Sequence, residues 1–151
     1  MTFKQGETWY ECSVWSDGKY HLGIVTIKEV KHITDSLGRN KGVSIVFAAK
    51  NFVRGGKNEF SLRERKAQTM YHRTASEAVS AALRSLFESL RKESPESRLL
   101  SAVYGENSSI KIYAEELPKV IRDLQDFQRL FAVAFKLDSE TINGKGQENA
   151  A

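Results

Sequence analysis

Cysteine is almost absent from this chain: Cys12 stands alone among 151 residues. An intramolecular disulfide is therefore excluded, and the usage fits a reducing compartment. No leading apolar run with basic flanks and no uninterrupted span of about 18 apolar residues is present, which argues against a secretory signal and a membrane-spanning helix. The expectation is a cytoplasmic protein with no membrane partner. Metal-ligand spacing is missing too, because Cys12, His21, His32 and His72 form no C-x-x-C or H-x-x-x-H pair. No metal and no cofactor are expected. The glycines at 38–42 and 55–56 lack the spacing and following helix of a phosphate or dinucleotide loop, and no G-x-S-x-G occurs. Carboxylates are scattered, with no pair placed for acid–base work. A non-enzymatic protein is the expectation.

What is present is an ordinary globular composition, 40% hydrophobic and 28% charged, in a length that suits one domain. Residues 1–6 read as a flexible lead-in, 7–137 as the domain, and 138–151, without apolar periodicity, as a disordered tail. The net charge of +4 is unevenly spread. Residues 36–73 hold nine Lys/Arg against Glu59 and Glu64, whereas the flanking segments are each slightly acidic. A basic band in a near-neutral chain points to a polyanion partner, although solvated, lysine-guarded strand edges carry such charge as well.

Two strands flank Asp17-Gly18, the signal for a two-residue hairpin turn. With that turn, residues whose numbers sum to 35 face each other. Tyr10, Cys12 and Val14 then share a core face with His21, Gly23 and Val25, while Trp9, Trp15, Tyr20 and Lys28 lie on the other. Val43–Phe52 is apolar on both faces, as in a central strand. Residues 59–73 read as a fourth strand with Arg63, Arg65, Tyr71 and Arg73 on one face. Thr74 and Glu77 have capping-box spacing at the start of an amphipathic helix carrying Val79, Leu83, Leu86 and Leu90, which Ser94-Pro95 ends. Residues 98–104 fit either a strand or a helical turn. Ser109–Tyr113 reads as a short strand, and a second helix starts near Leu117-Pro118 with Leu117, Val120, Leu124, Phe127, Phe131 and Ala134 on its stripe. The fold class is α+β: a four-stranded antiparallel sheet covered by an amphipathic helix, then a short strand and a second helix.

Function is read from three coincident features. Trp9, Trp15 and Tyr20 share a hairpin face with Lys28 beyond them; Arg63, Arg65, Tyr71 and Arg73 share a strand face; Arg39, Lys41, Arg54 and Lys57 occupy the connecting loops. Aromatics in a basic groove form a stacking platform for single-stranded nucleic acid, although a Trp15–Tyr20 cross-strand pair also stabilises a hairpin without a ligand. The segment SIKIYAEELPKVIRDLQDF, 109–127, resembles the closing strand and helix of PC4, Whirly and PUR-type single-strand-binding modules. That resemblance implies a curved antiparallel sheet followed by a helix, a dimeric assembly, and Lys111 and Tyr113 as binding positions. The expected function is binding of single-stranded DNA or RNA. The alternative is a small adaptor or inhibitor that docks a protein partner through an apolar helix surface. From Leu130 to Leu137 nearly every residue is apolar, more than one stripe can bury, so a homodimer or larger homo-oligomer with Phe131 and Phe135 at its contact is expected.

Overall fold

The computed structural model describes residues 2–53, 56–104 and 108–150, with side chains placed at 2–53, 56–89 and 117–143. Among these, four strands and three helices follow in order: β1 (Thr8–Val14), β2 (Tyr20–Thr34), β3 (Asn40–Ala49), β4 (Glu59–Arg63), α1 (Glu64–Met70), α2 (Ala75–Tyr104) and α3 (Ser108–Ala150). The strands form one antiparallel meander in sequence order, so the expected α+β class with a four-stranded antiparallel sheet is correct.

The first hairpin departs from the expected register by one residue. Trp9 pairs with Val25 and Tyr10 with Ile24. The cause is the loop, which contains three residues rather than two. Trp15 and Lys19 close it through Trp15 N–H to the Lys19 carbonyl at 3.0 Å, and Gly18 N–H donates to the Trp15 carbonyl at 2.9 Å. Gly18 takes a left-handed φ of 75°, the position such a three-residue loop reserves for glycine. The β2–β3 loop repeats the device, with Asp35 and Arg39 as the closing pair and Gly38 at φ 73°. A one-residue shift turns a whole strand over. Tyr10, Cys12 and Val14 therefore share a face with Tyr20, Leu22 and Ile24, and Trp9 shares the opposite one with Val25.

Each face builds its own core. On the first, Trp9, Val25, Ile27, Ile45 and Phe47 are buried with Phe3, Ala67 of α1 and Tyr71. Phe3 packs on Trp9 at 4.4 Å between ring centres, so the expected lead-in contributes a core side chain. On the second, Tyr10 and Leu22 are buried under Ala75, Ala78 and Val79 of α2 and Phe127, Leu130 and Ala134 of α3. Full burial of each such large side chain stabilises by roughly 1.5–3 kcal/mol.

Further expectations are corrected. The fourth strand ends at Arg63, because Glu64–Met70 is composed mostly of strong helix formers and turns into α1 with Ala67 inward. Tyr71-His72 then returns to bridge Tyr10 at the outer edge of β1, through Tyr10 N–H to the His72 carbonyl (3.0 Å) and His72 N–H to the Tyr10 carbonyl (2.8 Å). α2 continues through Ser94-Pro95 and takes in 98–104, and α3 begins at Ser108 with Pro118 inside it. The expected strand 109–113 is therefore helical; Ile110, Tyr113, Ala114 and Leu117 fit helical spacing as well as Ile110 and Ile112 fit alternation. On α3 the buried stripe is Asp123, Phe127, Leu130 and Ala134, which leaves Leu117 and Leu124 exposed. The expected tail also begins inside α3, at Asp138.

Candidate nucleic-acid interface

The shifted register dismantles the aromatic platform. Trp9 is fully buried; its indole N–H donates to Glu7 Oε2 at 3.1 Å, and the Arg73 guanidinium lies 4.8 Å above its ring. Tyr71 is equally buried and stacks on Phe47 at 4.7 Å. Tyr20 turns to the helix side and packs on Phe127 at 4.4 Å, where burial, reinforced by the Asp123 charge, raises its hydroxyl pKa. Trp15 alone remains half-buried near the surface, stacked on His21 at 4.4 Å and 5.7 Å from Phe52. Trp15 and Phe52, with Glu11, Ser13, Val53 and Met70, line an open groove of about 500 Å³ at the turn end of the first face.

The cations meet varied fates. Arg73, expected on the binding face, pairs with Glu7 at 2.8 Å. Arg39 and Lys41 reach Asp35 at 2.9 and 3.9 Å. Lys28 pairs with Glu59 across the sheet. Arg63 is exposed and donates through Nη1 to the Lys41 carbonyl at 3.2 Å. Lys57 and Arg65 are exposed, Arg65 on α1 and so on the opposite side of the sheet. Arg54, and the side chains of Lys111 and Tyr113, lie outside the described residues.

A different cationic surface emerges from the pairing. α2 and α3 rest on β1 and β2, whereas β3 and β4 make their described contacts with neighbouring strands and α1. Among the described residues, the helix-side face of β3–β4 therefore lacks the cover that β1 and β2 receive. Its cross-strand rows are Lys31–Ser44–Arg63, Glu29–Val46–Ser61 and Thr26–Ala48–Glu59. Lys28, the extra residue at the bulge between Ile27 and Glu29, reaches Glu59 from the β2 side. Lys50 extends over the last row to Thr8 Oγ1 at 3.5 Å. Small side chains floor this surface while Lys28, Lys31, Lys50 and Arg63 rim it. Strands rise about 3.4 Å per residue, so the outer rows lie about 13 Å apart. Lys31 also contacts Glu29 at 3.3 Å, but exposed pairs of this kind are worth about 0–1 kcal/mol and exchange readily for phosphate. Sequence reading missed Lys31 and Lys50 because their faces follow from the bulge and the register, which no local pattern announces.

Elsewhere, burial, with Glu11's charge adding to it, pushes the Cys12 thiol up to about 12, so it is an inert apolar group at neutral pH. Among the described residues no group of three His, Cys, Asp or Glu is placed to hold a metal ion, and no helix is long and apolar enough to cross a membrane. No protein-family model, curated protein or solved structure matches the chain.

Proposed function

We propose that the chain is a non-enzymatic nucleic-acid-binding protein that grips backbone phosphates on the uncovered β3–β4 face, and that it acts as a homo-oligomer in a reducing, cytoplasmic setting. The observation that supports this reading is the row Lys31–Ser44–Arg63 with Lys28 and Lys50 beyond it, four cations that outnumber the two carboxylates on the same face, Glu29 and Glu59. Phosphate contacts position a nucleic acid without reading its bases. With Trp9 and Tyr71 buried and Tyr20 under α3, that face offers no ring for stacking. Single strands and duplexes are accordingly bound through charge, with only a modest preference between them.

Fluorescence anisotropy with labelled 20-mers of single-stranded DNA, single-stranded RNA and duplex, at two salt concentrations, tests this. Neutralising four phosphates gives a log–log salt slope of about −3 to −4. Lys31→Ala with Arg63→Ala lowers that slope by roughly 1.5–2 and weakens all three probes together. The two side chains are exposed, so folding changes by less than about 0.5 kcal/mol each. Unchanged affinity in the double variant overturns the assignment.

A second reading, a small adaptor or inhibitor docking a protein partner, draws on one specific feature: the large apolar residues that α3 leaves exposed.

A further inference from the structure

We propose that the chain pairs with a second copy of itself through α3, the two helices running antiparallel about a two-fold axis. α3 commits Phe127, Leu130 and Ala134 to its own sheet. A separate row, Leu117, Ile121, Leu124, Phe131, Phe135 and Ile142, alternates intervals of four and three residues, with Gln128 and Asp138 filling the remaining steps. That 3.5-residue period is the seam one helix presents to another. Five of the six apolar members are exposed: Leu117 54%, Ile121 47%, Leu124 38%, Phe135 59% and Ile142 71%. The sixth, Phe131, is partly buried and stacks on Phe135 at 5.8 Å.

Three features select a second copy as the occupant. The row reads alike from either end: with Gln128 of one copy opposite Phe131 of the other, Leu117 meets Ile142 and Leu124 meets Phe135. The layer left over sets Ile121 against Asp138, whose carboxylate is already engaged by the Ala75 and Ser76 amides. Next, the positions beside the row on its open side, Pro118, Gln125, Ala132 and Ser139, carry no charge, so identical helices meet without repulsion. Arg122, Arg129 and Lys136 form their own row farther round, where they stay solvated. Finally, the seam runs for about 37 Å at 1.5 Å per residue. Six large apolar side chains over that length, with their flanks, approach the ~800 Å² per partner that stable interfaces bury. The pairing is isologous and closes on itself.

Sedimentation velocity of the full chain at tens of micromolar should give twice 17.1 kDa. A single species at the monomer mass overturns the proposal. Ile121→Asp and Ile142→Asp each place a charge in the seam at an exposed site, and each should yield folded monomers with an unchanged far-ultraviolet circular dichroism spectrum and a melt that no longer depends on protein concentration. A dimer that survives both variants shows that α3 is not the contact and overturns it as well. Orientation is read by oxidative cross-linking: Gln128→Cys, beside the axis, should give a covalent dimer, whereas Ile121→Cys, about 25 Å from its copy in the antiparallel pair, should not. Cross-linking at Ile121→Cys instead would establish a parallel pair and overturn the arrangement. The pairing rests on the homo-oligomer of the proposed function but not on its phosphate grip: Lys31→Ala with Arg63→Ala should leave the mass at the dimer value, so failure of the seam and failure of the grip are seen separately.

Discussion

Asp138 of α3 accepts a hydrogen bond from the main-chain amide of Ala75, 63 residues earlier, at 2.8 Å, and its second oxygen takes the Ser76 amide at 3.1 Å. The start of α2 is thus held by a residue from the far end of another helix. Thr74 and Glu77 add a reciprocal box, with Glu77 N–H donating to Thr74 Oγ1 at 3.2 Å and Thr74 N–H to Glu77 Oε2 at 3.4 Å. A carboxylate at this end also meets the positive pole of the helix dipole. Asp138→Ala should cost about 1–2 kcal/mol in urea denaturation, the range for loss of a helix cap. Thr74→Ala should cost less, because Asp138 still serves the neighbouring amides. An Asp138→Ala variant as stable as the parent would mean that Asp138 contributes nothing beyond the local box.

How much of this was legible in the sequence differs from element to element. The capping box was, since Thr74 and Glu77 are three residues apart and act locally. The Asp138 cap was not, because nothing in a linear reading links residues 75 and 138. The meander was legible from its turn residues, yet Asp17-Gly18 fits both a two- and a three-residue loop, and that single choice decides where Trp9 and Tyr20 point. Trp9 and Tyr71 read as binding residues because aromatics suit a core and a stacking site equally well, and only the register separates these. Residues 109–113 satisfied two periodicities within five positions, too few for either to win. The charge band at 36–73 was visible, but not that Asp35, Glu59 and Glu7 would take up Arg39, Lys41, Lys28 and Arg73.

The hairpin register makes its own prediction. Gly18 sits at φ 75° with open space around a built Cβ, so a side chain there costs backbone strain and no clash. Gly18→Ala should destabilise by about 1–2 kcal/mol, and Gly18→Asn, which tolerates this conformation better, by clearly less. If alanine is accepted without loss, the three-residue loop is wrong and the shifted register goes with it.

The two tryptophans should separate spectroscopically. Trp9 is sealed beneath Phe3 and Arg73, whereas Trp15 borders the open groove. The Trp15→Phe variant should keep a blue-shifted emission that acrylamide quenches poorly. The Trp9→Phe variant should emit further to the red, quench readily, and lose stability through its disturbed core. Saturating single-stranded DNA should leave both emissions nearly unchanged, because neither ring lies on the β3–β4 face. Strong quenching of Trp15 by DNA would move the interface to the groove.

Acid should weaken the fold through Glu7. Burial alone would raise its carboxyl pKa, but hydrogen bonds from the Lys4 amide, the Trp9 indole and the Arg73 guanidinium outweigh this and hold it below its ordinary 4.5. In the unfolded chain those partners are gone and the ordinary value returns. Above that value both states are ionised and the contribution to stability is complete. As pH falls below it the unfolded chain takes up its proton first, and the contribution shrinks until the pH has passed the depressed folded value. Asp17 and Asp35 act in the same direction: Asp17 is lowered first by the Lys19 amide and then by His21, and Asp35 first by the Arg39 amide, with burial opposing in both. Denaturation midpoints should therefore decline gently from about pH 7, because burial lowers the His72 pKa from its ordinary 6.5 and the unfolded chain takes up that proton first, and more steeply from about pH 5 toward pH 3 as the carboxylates follow. Glu7→Gln should cost roughly 1–3 kcal/mol at pH 7, as hydrogen bonds to a charged acceptor weaken, and should make the decline shallower without abolishing it. Arg73→Ala should reproduce part of both effects, since it removes one of the three donors and the cation over Trp9. A Glu7→Gln protein whose acid limb has the same slope as the parent would show that the carboxylate is not held below its ordinary value.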